Sequence, residues 1–223
     1  MQQFRCTAVL FDLDGVLVDS TRSVARLWRL WAAETGVDPE RILEIAHGRR
    51  TIEVVRQLAP AVDAESEVRK IEKREADDTD GVRVMPGAYD LLSTLPDAQW
   101  GVVTSGTNYL ATSRLRRAGL PIPRVLVSAD EVTKGKPHPE PYLKGAQLIG
   151  VAPADCLVIE DAPAGVQSAH AAGMKSIGLT STYSAAELHE ADALVESLGQ
   201  IHVGLGGANG VMLLEVFGRR HGR

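Results

Sequence analysis

Residues 6–15 read CTAVLFDLDG, a short apolar run closed by two aspartates and a glycine. The run CTAVLF at 6–11 is too short for a core helix and rich in branched and aromatic side chains, the pattern of a strand buried on both faces. Strands of this kind belong to parallel sheets, where ligands bind beyond the carboxyl ends. Asp12 and Asp14 stand at such an end.

Downstream of this strand the period changes. Between Ser20 and Thr35 the residues Val24, Leu27, Trp28 and Trp31 recur at helical spacing, with Ser20 or Thr21 available as a cap and Gly36 as the stop. Helical patterns continue through PERILEIA at 39–46, RTIEVVRQLA at 50–59 and the charge-laced stretch from Ala64 to Ala76, so residues 17–83 read as all-helical. After MPG at 85–87 helices and strands alternate. YDLLSTL (89–95) is followed by the strand WGVVTS (100–105), a helix from Asn108 to Ala118 precedes RVLVS (124–128), and PEPYLKGAQLIG (139–150) precedes CLVIED (156–161). PAGVQSAHAAG (163–173) then leads to KSIGLT (175–180) and the short ALVES (193–197). The glycine-rich GLGGANG (204–210) predicts a turn before a short terminal strand or helix in VMLLEVFGRR (211–220).

The expected fold is therefore α/β. A Rossmann-like parallel-sheet core at 1–16 and 86–223 is interrupted by an inserted α-helical cap domain at 17–85. A chain of 223 residues suits a core domain with a modest insertion, and 44% apolar with 24% charged residues fits a compact globular protein. The net charge of −5 carries no electrostatic footprint for nucleic acid. Neither a signal peptide nor a membrane span is expected. Cys6 and Cys156 each sit in an apolar run, as reduced buried thiols would in a reducing cytoplasm. No surface heptad calls for a partner subunit, so a monomer is the default.

Four strand ends carry polar groups: Asp12 and Asp14, Thr104 and Ser105, Ser128 to Asp130, and Glu160 with Asp161. Asp12, Asp14, Asp161 and Glu160 would repel one another unless a hard cation such as magnesium lay between them. A phosphoryl ligand also needs donors, which the Thr104 and Ser105 hydroxyls and Lys136, in a proline-stiffened stretch, can supply. Asp12 can accept a phosphoryl group as a nucleophile, and Asp14 can pass a proton to the leaving oxygen and take one from water.

With FDLDGVLVDS (11–20), VVTSGT (102–107), KGKPHPEPYLKG (134–145) and VIEDAPAGVQSAHAAG (158–173) in this order, the chain resembles the haloacid-dehalogenase-like phosphatases over nearly its full length. The resemblance implies Asp12 as nucleophile, Asp14 as acid/base, Thr104 and Lys136 as phosphate ligands, and magnesium held by Asp12, Asp14 and Asp161 with Glu160 in support. It also implies a small phosphomonoester as substrate. HGRRT (47–51), TSGT and GKPHPEPYLKG are most similar to glycerol-3-phosphate and 2-deoxyglucose-6-phosphate phosphatases, in which likeness His47, Gly48 and Arg50 would form a substrate-recognition loop in the cap. Related β-phosphoglucomutases carry a hinge histidine where this chain has Val24, which disfavours a mutase. Intact Asp12, Asp14, Lys136 and Asp161 disfavour a silent phosphosugar-binding protein. Lys134, the charged stretch at 67–78, and Trp28 with Trp31 read as surface, solvated face and cap packing respectively.

Overall fold

A computed structural model describes residues 1–46, 48–78, 81–204 and 210–218. His47 and most of GLGGANG lie outside the described residues. Along the chain come β1 (Gln2–Cys6), β2 (Ala8–Phe11), β3 (Val18–Asp19), α1 (Thr21–Thr35), α2 (Pro39–Ala46), α3 (Thr51–Leu58), α4 (Ala64–Asp77) and β4 (Arg83–Val84). Then follow α5 (Ala88–Thr94), β5 (Trp100–Val103), α6 (Asn108–Arg117), β6 (Leu126–Val127), α7 (Glu140–Ile149) and β7 (Cys156–Glu160). The last elements are α8 (Pro163–Ala171), β8 (Lys175–Leu179), β9 (Ala193–Val195), β10 (Ile201–Gly204) and β11 (Met212–Val216).

Six strands form a parallel sheet in the order β6-β5-β2-β7-β8-β9. β2 is central, with Phe11 in register with Val102 of β5 and Ile159 of β7. Every residue of β2 is buried, because helices cover both faces. Leu91, Leu92, Ala111 and Leu115 of α5 and α6 pack on one side, and Tyr142, Ala146 and Ala169 of α7 and α8 on the other. Each fully buried Val, Leu or Phe here contributes about 1.5–3 kcal/mol.

The apolar run at 6–11 is not one strand. It breaks at Thr7, whose N–H donates to the Asp155 carbonyl over 2.7 Å. β1 joins a second sheet, β1-β11-β10, pairing antiparallel with β11. Burial alternates along β11 and is complete along β2, the difference between a sheet covered on one face and one covered on both. The terminal segment is thus strand, not helix.

Residues 17–83 are also not wholly helical, since β3 pairs antiparallel with β4 where the chain leaves and re-enters the core. A two-residue ladder is too short to show alternation in sequence. Between these strands α1–α4 enclose their own cluster, including Trp28, Trp31, Ile42, Val54, Val55 and Ile71. Trp28 and Trp31 meet edge to face at 5.5 Å, and Trp31 Nε1 donates to Glu67 Oε2 over 3.0 Å. Gly36 ends α1 in the left-handed conformation, its N–H donating to the Ala32 carbonyl. No helix of the described residues is long and apolar enough to cross a membrane.

Candidate active site

The parallel register sets the site. Because β2 lies between β5 and β7, Glu160 at the last position of β7 and Asp12, Thr104 and Asp161 just past the carboxyl ends converge, and all four are buried. Asp12 extends the ladder by one bond, its N–H donating to the Ile159 carbonyl over 3.0 Å. The loop then turns at Gly15, at φ 81°, where a Cβ would run into the Asp161 carboxylate. Ser181 Oγ donates to the Gly15 carbonyl over 2.6 Å and holds this turn.

Lys136 reaches the centre from the stretch before α7. Its Nζ donates to Asp12 Oδ1 (2.5 Å), Glu160 Oε1 (2.7 Å) and the Val103 carbonyl (3.0 Å), and lies 5.0 Å above the Tyr142 ring. All three ammonium protons are therefore used. Burial opposes the charge, yet the Asp12 and Glu160 carboxylates overcome it and hold the Lys136 pKa above its ordinary value.

Glu160 is saturated by the protein. Oε1 accepts from Lys136 and Tyr142 Oη (2.9 Å), and Oε2 accepts from the Asp161 and Ala162 N–H groups (both 3.0 Å). Gly165 of α8 lies flush against this carboxylate, where any Cβ would collide. Glu160 thus fixes Lys136 and the start of α8. Asp161 remains open toward the cavity, steadied by a hydrogen bond from Thr182.

Burial pushes Asp12 up to about 7 against the pull of Lys136, with Glu160 and Asp14 adding to the rise. Burial raises Asp161 well above the carboxylate range, with Glu160 and Asp12 adding to it. Oxygens of Asp12, Glu160 and Asp161 lie within 4.8 Å of one another. Three carboxylates against one ammonium leave an excess of negative charge in a dry site, and every donor atom is hard oxygen. That chemistry fits magnesium.

Thr104 Oγ1 accepts from the Gly106 N–H (3.1 Å), so its own proton is available to a bound oxygen. Ser105 Oγ instead donates to the Gly48 carbonyl (2.8 Å), joining the core to the inserted helices. Thr107 caps α6. Arg50 is similarly occupied: it donates to Glu53, to the Val132 carbonyl (3.1 Å) and to the Thr133 carbonyl (3.0 Å). Arg49 and Gly48 line the cavity, and Arg50 does not. Ser20 begins α1 without capping it; its hydroxyl donates to Asp14 Oδ1 over 2.6 Å.

Residues that the sequence reading passed over complete the site. Arg114 of α6 pairs with Asp14 and with Glu75 of α4. Tyr142 and Thr182 buttress Glu160 and Asp161. Their signals were faint, since a tyrosine in an amphipathic helix and a threonine after a strand have many ordinary uses. A cavity of about 90 Å³ opens above Asp12, Asp14 and Asp161, walled by Leu27, Trp28 and Ile71.

The profile of the haloacid dehalogenase-like hydrolases matches residues 9–179, and the chain belongs to that family. Hexitol phosphatase A of Escherichia coli is 45% identical over 204 residues, spanning 89% of this chain and 94% of the relative. Glycerol-1-phosphate phosphohydrolase 2 of Saccharomyces cerevisiae is 35% identical over 215 residues, spanning 90% and 86%. Among solved structures, a hydrolase from Pseudomonas syringae superposes with a TM-score of 0.77 at 29% identity, covering 86% of this chain and 94% of its own.

Proposed function

We propose that the chain is a magnesium-dependent phosphatase that hydrolyses a small sugar or polyol phosphomonoester through a phosphoaspartate on Asp12. The observation that carries this reading is the buried set Asp12, Lys136, Glu160 and Asp161, in which three carboxylates meet one ammonium and Asp12 and Asp161 face the cavity. Asp12 Oδ attacks phosphorus, the bond to the substrate alcohol breaks, and Asp14 gives that oxygen its proton. A water then attacks the phosphoaspartate, Asp14 takes the water proton, and the bond to Asp12 breaks to release inorganic phosphate. Lys136 holds Asp12 in line while the Thr104 hydroxyl receives a phosphoryl oxygen. Asp12, Asp161 and the Asp14 backbone carbonyl would hold magnesium, which supplies charge neutralisation for the carboxylates and the phosphoryl group.

The helices at 17–85 act as a cap over the leaving group. Trp28, Leu27 and Ile71 offer apolar wall, and Arg49 and Thr51 offer hydrogen-bonding groups, a mixture suited to a polyol chain. The names of the Escherichia coli and yeast relatives point to the same substrate class. The two unpaired buried cysteines suit a reducing cytoplasm.

The test is phosphate release from hexitol phosphates, glycerol phosphates and 2-deoxyglucose 6-phosphate, with magnesium or chelator, for wild type and Asp12→Asn. Magnesium-dependent release that vanishes in Asp12→Asn is expected. Interconversion of hexose phosphates without release would replace the phosphatase with a mutase.

A further inference from the structure

Arg114 stands on α6 in the stretch RLRR at 114–117, in which Arg116 and Arg117 are exposed. It is instead buried, at 5% exposure. One arm of its guanidinium pairs with Asp14, in the loop after β2, and the other with Glu75, near the end of α4. Glu75 is also buried, and Ser20 holds the second oxygen of Asp14. A strand-end loop, a core helix and an inserted helix therefore meet on a single side chain.

We propose that Arg114 is a positioning residue for the proton transfer, holding Asp14 in its acting place when α4 is seated and Glu75 completes the pair. The inference rests on the phosphatase reading. A guanidinium is a rigid planar fork, so fixing one arm on Glu75 fixes the direction in which the other presents its donor to Asp14. Glu75 balances the guanidinium charge, so Asp14 is not its sole counterion. When α4 lifts away, that arm is left to water and the fork loses its reference. Arg114 Nε and Glu75 Oε1 have no hydrogen-bond partner among the described residues, so Glu75 meets the guanidinium as an ion pair, and the two ion pairs are what hold this buried group. Closure over a substrate and orientation of the acid become one event, and small misplacement of a reacting group is costly: about 10²-fold for an ångström.

The test compares kcat/KM of wild type, Arg114→Lys and Glu75→Gln on glycerol phosphate, n-propyl phosphate and p-nitrophenyl phosphate. This parameter runs from free reactants to departure of the alcohol, so the later water step does not enter it. The first two esters need a proton on the leaving oxygen, and nitrophenolate does not. Arg114→Lys is expected to lose about 10²-fold on both alkyl esters while remaining close to wild type on the aryl ester. Glu75→Gln should show the same pattern with a smaller loss, and the aryl ester reports that each variant is folded. Equal loss on all three esters would reduce Arg114 to a structural residue and overturn the inference. Loss confined to glycerol phosphate would make the pair a reader of hydroxyls and also overturn it. A wild type that releases no phosphate would sink the phosphatase reading as well, whereas an active wild type with an unaltered Arg114→Lys sinks this inference alone.

Discussion

Lys136 Nζ donates to Asp12 Oδ1 over 2.5 Å, with both side chains buried. The pair places a fixed positive charge beside the carboxylate assigned as nucleophile, and Glu160 shares the same ammonium at 2.7 Å. Removing one partner from a buried pair leaves uncompensated charge. Lys136→Met should therefore lower the unfolding free energy by about 3 kcal/mol or more and abolish phosphate release. Urea unfolding checks the first effect, and stability within error of wild type would show that the lysine does not hold the cluster.

Glu160 is fully used by protein donors, whereas Asp161 faces the cavity with Thr182 behind it. Losing a group that orients a metal ligand weakens binding about 10–100-fold, so Thr182→Val should raise the half-saturating magnesium concentration within that range. Asp161→Asn should raise it further. Titrating magnesium into the activity assay decides this, and an unmoved midpoint in Asp161→Asn would exclude Asp161 as a ligand.

Adjacent arginines should behave differently. Arg49 lines the cavity and Arg50 ties the helical insertion to the Val132 and Thr133 carbonyls. Arg50→Ala should lower kcat/KM on all substrates by a similar factor, through looser closure. Arg49→Ala should change the ranking of sugar and polyol phosphates. Steady-state kinetics on a panel separates the two, and selective loss in Arg50→Ala would return it to the substrate.

Burial pushes the Cys6 thiol up to about 12 and Cys156 to about 11, from an ordinary 9.0. Both thiols should resist iodoacetamide in the native protein at about pH 8 and react in urea, because the thiolate is the reacting species. The sign for stability follows. A folded pKa above the unfolded one gives a contribution intact below 9.0 and lost as pH rises toward 12, since the unfolded chain releases its protons first. The fall in unfolding free energy across that window should be shallower in Cys6→Ala. Rapid native alkylation would show that the thiols are reachable.

What was legible in the sequence is what short apolar strands end on. Asp12, Asp14, Thr104, Glu160 and Asp161 interrupt or follow such runs, and a parallel sheet brings those positions together whatever the loops do. Lys136 was legible through its proline-rich setting. Arg114 and Glu75 were not, because each lies in a helix dense with exposed charge, EVRKIEKREADD and RLRR, and becomes buried only where α4 meets α6. Ser20 looked like a cap because serine before a helix usually is one, but its hydroxyl had a better acceptor in Asp14. The split of residues 2–11 into two sheets depends on β11, some 200 positions away in sequence, and local periodicity carries no trace of that pairing.

The central claim is covalent chemistry at Asp12, and the most direct test is rapid acid quench of enzyme mixed with magnesium and a turned-over phosphomonoester, followed by peptide mass spectrometry. A peptide containing Asp12 should carry one added phosphoryl group, transiently in wild type and never in Asp12→Asn. Phosphate released at full rate with no phosphoryl group on that peptide would contradict the mechanism.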